Sequence, residues 1–166
     1  MNADALSSAV FIAARVVARW AFGLPLGTYA VTSNGNGSTD EPRAGRRERL
    51  DPARVRDDLV VAFVASAAQR RMSAGTRSAM EAARGAREMV DILTRATDVL
   101  EPDVAADVVA RARRSACRFL DLPRVWPLTL AVAGLLTEHG EVGGEDLNAL
   151  LDATMQVQAA RCPAPA

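Results

Sequence analysis

Lysine is absent from this 166-residue chain, and histidine occurs once, at His139. The first absence excludes a phosphate-binding loop, whose Lys must reach the phosphates from the end of a Gly-rich turn. GNGS and GEVGG, the two Gly-containing turns, also lack a strand before and a basic residue after, so no ATPase module is expected. The lone His excludes a zinc site spelled HExxH, in which two His one helical turn apart hold the metal and the Glu between them acts as general base. Cysteine is scarce as well: Cys117 and Cys162 are too few and too distant for a disulfide framework or a Cys-based zinc site. Cys117, inside the helical pattern ARRSACRFL, reads as a small buried hydrophobe in a reduced cytoplasm, and no cofactor is expected.

Excess charge of either sign is also missing. The 20 basic residues, all Arg, balance 20 acidic ones, so no overall field advertises nucleic acid or an anionic surface. No long apolar run survives intact: the stretch at residues 5–26 is interrupted by Arg15, Arg19 and Pro25, which argues against a signal peptide or a membrane span. What remains is 49% apolar and 24% charged, ordinary for a globular domain.

The expected fold is mainly α, a single helical domain over residues 1–156 with five to six helices, followed by a tail at 157–166. A first helix over about residues 3–22 presents Phe11, Ile12, Val16, Ala13, Val17 and Trp20 on one broad face, and Gly23 with Pro25 stops it. TYAVT at residues 28–32 is β-prone and predicts a short strand or hairpin. Residues 33–50, polar and Gly-containing, read as a flexible surface loop whose Arg43, Arg46, Arg47 and Arg49 are diluted by Asp40, Glu41 and Glu48. Asp51 and Pro52 cap a second helix that is apolar almost all round at residues 59–68, the signature of a central helix. Further helices follow from about Thr76, from Pro102 and from about Val125; Gly140 ends the fifth, and a short last one follows Gly143 and Gly144. His139 reads as a residue of a helix C-terminus, where the macrodipole favours a cation, and Glu138, Glu141, Glu145 and Asp146 as a solvated face.

The order of these pieces resembles the peptidase domain of the FtsH-type ATP-dependent zinc metalloproteases. LTLAVAGLLTEHGEVGGEDLNALL, residues 128–151, is similar to that family's closing pattern of Leu-Ala-x-x-Leu-Leu, an acidic turn, Gly and a Leu-rich helix. FVASAAQ at residues 63–69 resembles its Leu-Ala-Gly-x-Ala-Ala-Glu, and SAMEAARGAREMV at 78–90 its Asp-Leu-x-x-Ala-Thr-x-x-Ala-x-x-Met-Val. The resemblance implies a first helix packed against residues 59–68. It also lays the HExxH positions on Val10, Phe11, Ile12, Ala13 and Ala14, and the third zinc ligand on Ser78; the small Gly and the Glu of the central helix fall on Ala65 and Gln69.

On that alignment Val10, Phe11, Ala14 and Ser78 are degenerate motif positions that cannot hold zinc by the family's ligands, and without zinc there is no activated water for peptide hydrolysis. The function expected is that of a non-catalytic relative, a protein-binding or regulatory module that engages a protein partner or a second copy of itself. The first alternative is a zinc metallopeptidase with unrecognised ligands. A weaker one is a small helical nucleic-acid binder using the arginines of ARVVAR, QRR and RARR, against which the neutral net charge counts. Aromatic residues commonly anchor protein contacts, so Trp20 and Phe22 near the end of the first helix, the edge at residues 24–31, and Trp126 beside Pro127 are the candidate partner-binding positions.

Overall fold

A computed structural model describes residues 3–32, 37–42, 51–73 and 79–161. Among these are six helices and three short strands, in the order α1 (Ala3–Ala21), β1 (Thr28–Val31), β2 (Gly37–Asp40), α2 (Pro52–Ser73), α3 (Ala79–Val99), α4 (Pro102–Leu120), α5 (Val125–His139), β3 (Glu141–Val142) and α6 (Gly144–Arg161). The mainly helical expectation holds. The ends of the helices follow the local chemistry of the chain. Gly23 adopts a left-handed φ of 65° just past α1, a conformation that costs glycine little. Asp51 accepts a hydrogen bond from the Ala53 amide at 2.9 Å, capping α2, while Pro102 opens α4 where its missing N–H is harmless. Gly140, at φ 76°, ends α5.

Helix α2 packs between α1 and α4, with α3 alongside, and α1 packs in turn against α5. This central position explains why α2 has no polar stripe. Leu59, Val60, Val61, Ala62, Phe63, Val64 and Ala65 are all buried in succession, because neighbours cover every side of the helix. The first helix is nearly as enclosed, with Ala9, Val10, Phe11, Ile12, Ala13 and Ala14 buried. Phe11 and Ile12 thus lie inside, on the helix that packs against residues 59–68, as expected. Such pairing of apolar helices assigns no family by itself.

Several expectations change, among them the short last helix and the tail at 157–166, since α6 runs on to Arg161. The segment at residues 33–50, read as a loop, contains β2; residues 33–36 and 43–50, with the four loop arginines, lie outside the described residues. The strand escapes hydropathy because only Gly37 of its four residues is buried. A β-carbon at Gly37 would sit 2.4 Å from Ile12 Cδ1, so glycine lets the strand cross α1 closely. Cys117, read as buried, is exposed. The buried face of α4 is Ala105, Ala112, Ala116 and Leu120, spaced by seven, four and four residues, and Cys117 is turned about 100° away from Ala116.

The sheet has the order β2-β1-β3, antiparallel throughout. Thr28 faces Asp40 and Val31 faces Gly37 on one side of β1, while Tyr29 faces Val142 and Ala30 faces Glu141 on the other. The Val31 amide also donates to Gly140 O at 2.8 Å. The first strand is therefore the middle one, and the edge at residues 24–31 suggested for a partner is closed over residues 28–31 by the chain itself.

Candidate functional site

The positions laid on the metal motif are a packed apolar interior. Val10 and Ala14 have no exposure and Phe11 only 9%. None of the three carries a nitrogen, oxygen or sulfur donor, so these residues do not fit zinc. Ala65 and Gln69 are buried on α2. Ser78 lies outside the described residues. Among the described residues no three His, Cys, Asp or Glu side chains converge as a metal would require. His139 is exposed in the last turn of α5, and Glu138, Glu141, Glu145 and Asp146 are exposed as well.

From the residue after Ala14, the same helix carries polar groups inside as well. Arg15 meets Glu41 with two hydrogen bonds, Nε to Oε1 at 2.6 Å and Nη2 to Oε2 at 3.0 Å. Arg19, only 3% exposed, donates from Nη1 to Glu41 Oε2 at 2.9 Å and from Nε and Nη2 to Pro25 O at 3.2 and 2.8 Å. Tyr29 completes the cluster, its hydroxyl donating to Glu41 Oε1 at 3.3 Å. Burial alone would raise the Glu41 pKa, but the Arg15 hydrogen bonds and the charges of Arg15 and Arg19 hold it below the usual carboxylate range. Burial and then the Glu41 charge push the Tyr29 phenol up to about 12. These groups satisfy one another, so the cluster clamps the end of α1 to the β-hairpin and offers no free nucleophile or base. In the sequence Arg15 and Arg19 read as breaks in an apolar run and, in the weakest alternative, as nucleic-acid contacts, while Glu41 reads as loop charge. The spacing of four residues between the arginines, one helical turn, was the available signal.

The concavity lies further along, at the C-terminal end of α1. A pocket of about 330 Å³ is lined by Val17, Trp20 and Ala21 of α1, Phe119 of α4, Leu122, Pro123 and Arg124 in the following turn, Val125 and Leu128 of α5, and Met155 of α6. Its lining is apolar except for Arg124. Trp20 is half-buried and donates its indole N–H to Asp152 Oδ1 at 2.9 Å. Phe22 is exposed and stacks on Phe119, with ring centroids 6.0 Å apart and planes inclined by 28°. Leu122 stands 51% exposed.

Two of the three candidate partner-binding aromatics thus meet at one place. Trp126 does not join them. It is half-buried beneath the Arg71 guanidinium, 4.6 Å from the ring centroid, and Arg71 in turn donates to Leu120 O at 3.4 Å and reaches Asp121 Oδ1 at 3.6 Å. That arrangement buttresses the turn between α4 and α5. Phe119, Leu122 and Met155 escaped the sequence reading; the signal was Leu122 itself, an apolar residue stranded between Asp121 and Pro123 where no helix could bury it.

Compared with known protein families, with curated proteins and with solved structures, the chain matches none. Among the described residues no single helix is long and apolar enough to cross a membrane; α4 and α5 reach that length only as a pair bent by 81°.

Proposed function

We propose that the chain is a non-catalytic binding module, a helical scaffold resembling the FtsH-type peptidase domain, that acts by holding a protein partner at the C-terminal end of α1. One observation carries the reading: the interior at Val10, Phe11 and Ala14 is filled with apolar side chains, whereas an apolar pocket at the other end of the helix stays open and is bordered by exposed Phe22 and Leu122. Pockets of this size are concave sites for ligands or for the anchor side chains of partners. A free, exposed thiol at Cys117 fits the reducing cytoplasm expected from the sequence.

The test compares the wild-type chain with Leu122→Asp and Phe22→Asp variants in capture from lysate of the native host, with circular dichroism to verify folding. A protein retained by wild type and lost from both folded variants is the expected result. Equal recovery by all three would remove the pocket from the reading. Peptide turnover that a chelator abolishes, or one tightly held zinc per chain, would overturn the non-catalytic reading and favour a hydrolase.

A further inference from the structure

Helix α5 carries no charged residue over 125–137, and a helix apolar all round belongs in an interior. Only one side of it is covered. Val125, Leu128, Thr129, Val132, Ala133 and Leu136 are buried, while Pro127, Ala131 and Gly134 on the opposite side are exposed and Leu130 at its border is 41% exposed. Arg124, Pro127, Ala131, Gly134 and Glu138 follow one another at intervals of three, four, three and four residues, the heptad spacing that keeps a seam along a helix. The seam has a cation at one end and an anion at the other. Both are exposed, and neither makes an ion pair with a described residue. Gly134 is a separate sign. Glycine inside a helix is destabilising relative to alanine, and a β-carbon here would meet no described atom within 4 Å, so the packing of the chain on itself does not require it.

We infer that this seam docks against the same seam of a second copy, α5 antiparallel to α5 about a two-fold axis at Ala131. The charges choose the occupant, because the pattern complements itself when reversed. Arg124 lies seven residues before Ala131 and Glu138 seven after, so Arg124 of each copy meets Glu138 of the other, as an isologous contact requires. The two charges stand about 21 Å apart along the helix and fix the register at both ends. Between them, Ala131 and Gly134 let the axes approach to about 8 Å, the near end of the usual range, and Pro127 and Leu130 supply apolar area. Antiparallel dipoles add to the match. A lipid surface would present one charge environment to both ends of the seam, and a helix of uniform charge would repel one of them. The pocket is a different place, sharing only Arg124 with the seam.

Sedimentation velocity of the full chain over a rising concentration series tests the pairing, and a reversible dimer is expected. Arg124→Glu and Glu138→Arg should each weaken it at least about tenfold, since either change sets like charges together at both ends of the seam. Raised salt should shrink that effect. An equimolar mixture of the two variants should form the dimer again, because each supplies the charge the other lacks, and the double variant should do so by itself. Gly134→Leu, for which the monomer has room, should keep its helical circular dichroism and lose the dimer. A chain that stays monomeric up to about 1 mM would overturn the inference. So would a dimer that survives Gly134→Leu; if that dimer were lost in Leu122→Asp instead, the contact would move to the pocket. Unchanged dimerisation of both charge variants would overturn the antiparallel register. Binding of a monomeric chain to phosphatidylcholine vesicles, lost in Leu130→Asp, would assign the face to lipid and overturn the pairing.

Discussion

The second half of α1 buries apolar residues as the first does, Val16, Val17 and Ala18 among them, and adds a buried charge that the first half lacks. Up to Ala14 the buried positions are chiefly alanine, valine and bulky apolar residues closed against α2; beyond it, a buried arginine is held by a carboxylate from a segment that hydropathy would leave in solvent. The first half gains stability from area removed from water and from close packing, which are non-directional. The second half fixes a particular geometry, because a guanidinium and a carboxylate in two-point contact accept few orientations. The second strand is short and polar, with little apolar area of its own, and the charged cluster ties this end of the hairpin to α1 beside the buried Tyr29 and Val31.

Removing the carboxylate should break this contrast most severely. Glu41→Ala leaves Arg19 buried beside Arg15 without a counter-charge, and the expected loss is about 3–5 kcal/mol in urea unfolding. A loss below about 1 kcal/mol would mean that water replaces the carboxylate freely and that the cluster is not sealed. The apolar half is tested by Ile12→Ala, which should cost about 2–5 kcal/mol, with the same measurement showing whether loss of the side chain beneath Gly37 also lowers the cooperativity of unfolding.

A pH titration separates the halves without altering the core. Because the folded Tyr29 pKa is raised from 10.0 to about 12, the associated stability is fully present below pH 10.0 and is lost as pH rises through about 12. The loss corresponds to about 2–3 kcal/mol, and Tyr29→Phe should remove that alkaline limb. Glu41 behaves with the opposite sign. Its lowered pKa gives stability above the ordinary carboxylate range that disappears as the solution is acidified. At the pocket, Trp20→Phe removes the bond to Asp152 and should cost about 0.5–1.5 kcal/mol, since both groups border solvent. Smallest of all, Cys117→Ser should change stability by less than about 0.5 kcal/mol; a larger loss would show that the thiol packs against a neighbour.

Helices were legible because their signals are local. Asp51-Pro52, Pro102, Gly23 and Gly140 act within a turn of where they stand, and the apolar run at residues 59–68 announced a central helix without a contact being known. The second strand was not legible, since its exposed Ser38, Thr39 and Asp40 have no apolar alternation to report. Trp20 and Phe22 could be marked as aromatic excess near a helix end. Their common site could not, because it is assembled from four helices and the turn between two of them. Trp126 looked equivalent to them in sequence and is not, as its face is taken by an arginine more than fifty residues away.

Strand β3 gives the small sheet a place in time as well as in space. Ala30 pairs with Glu141 across more than a hundred residues, and a β-carbon at Gly144 would stand 2.6 Å from Leu26 O, so the start of α6 must settle directly on the segment before β1. Bringing such remote segments together has to overcome the entropy of a long closed loop before any ladder bond forms. The helical pairs of the central layer need not wait for it. In pulse-labelling hydrogen exchange during refolding, protection of α2 should therefore come first and that of the Tyr29 and Val31 amides last, making the sheet the latch that closes on an already collapsed helical body.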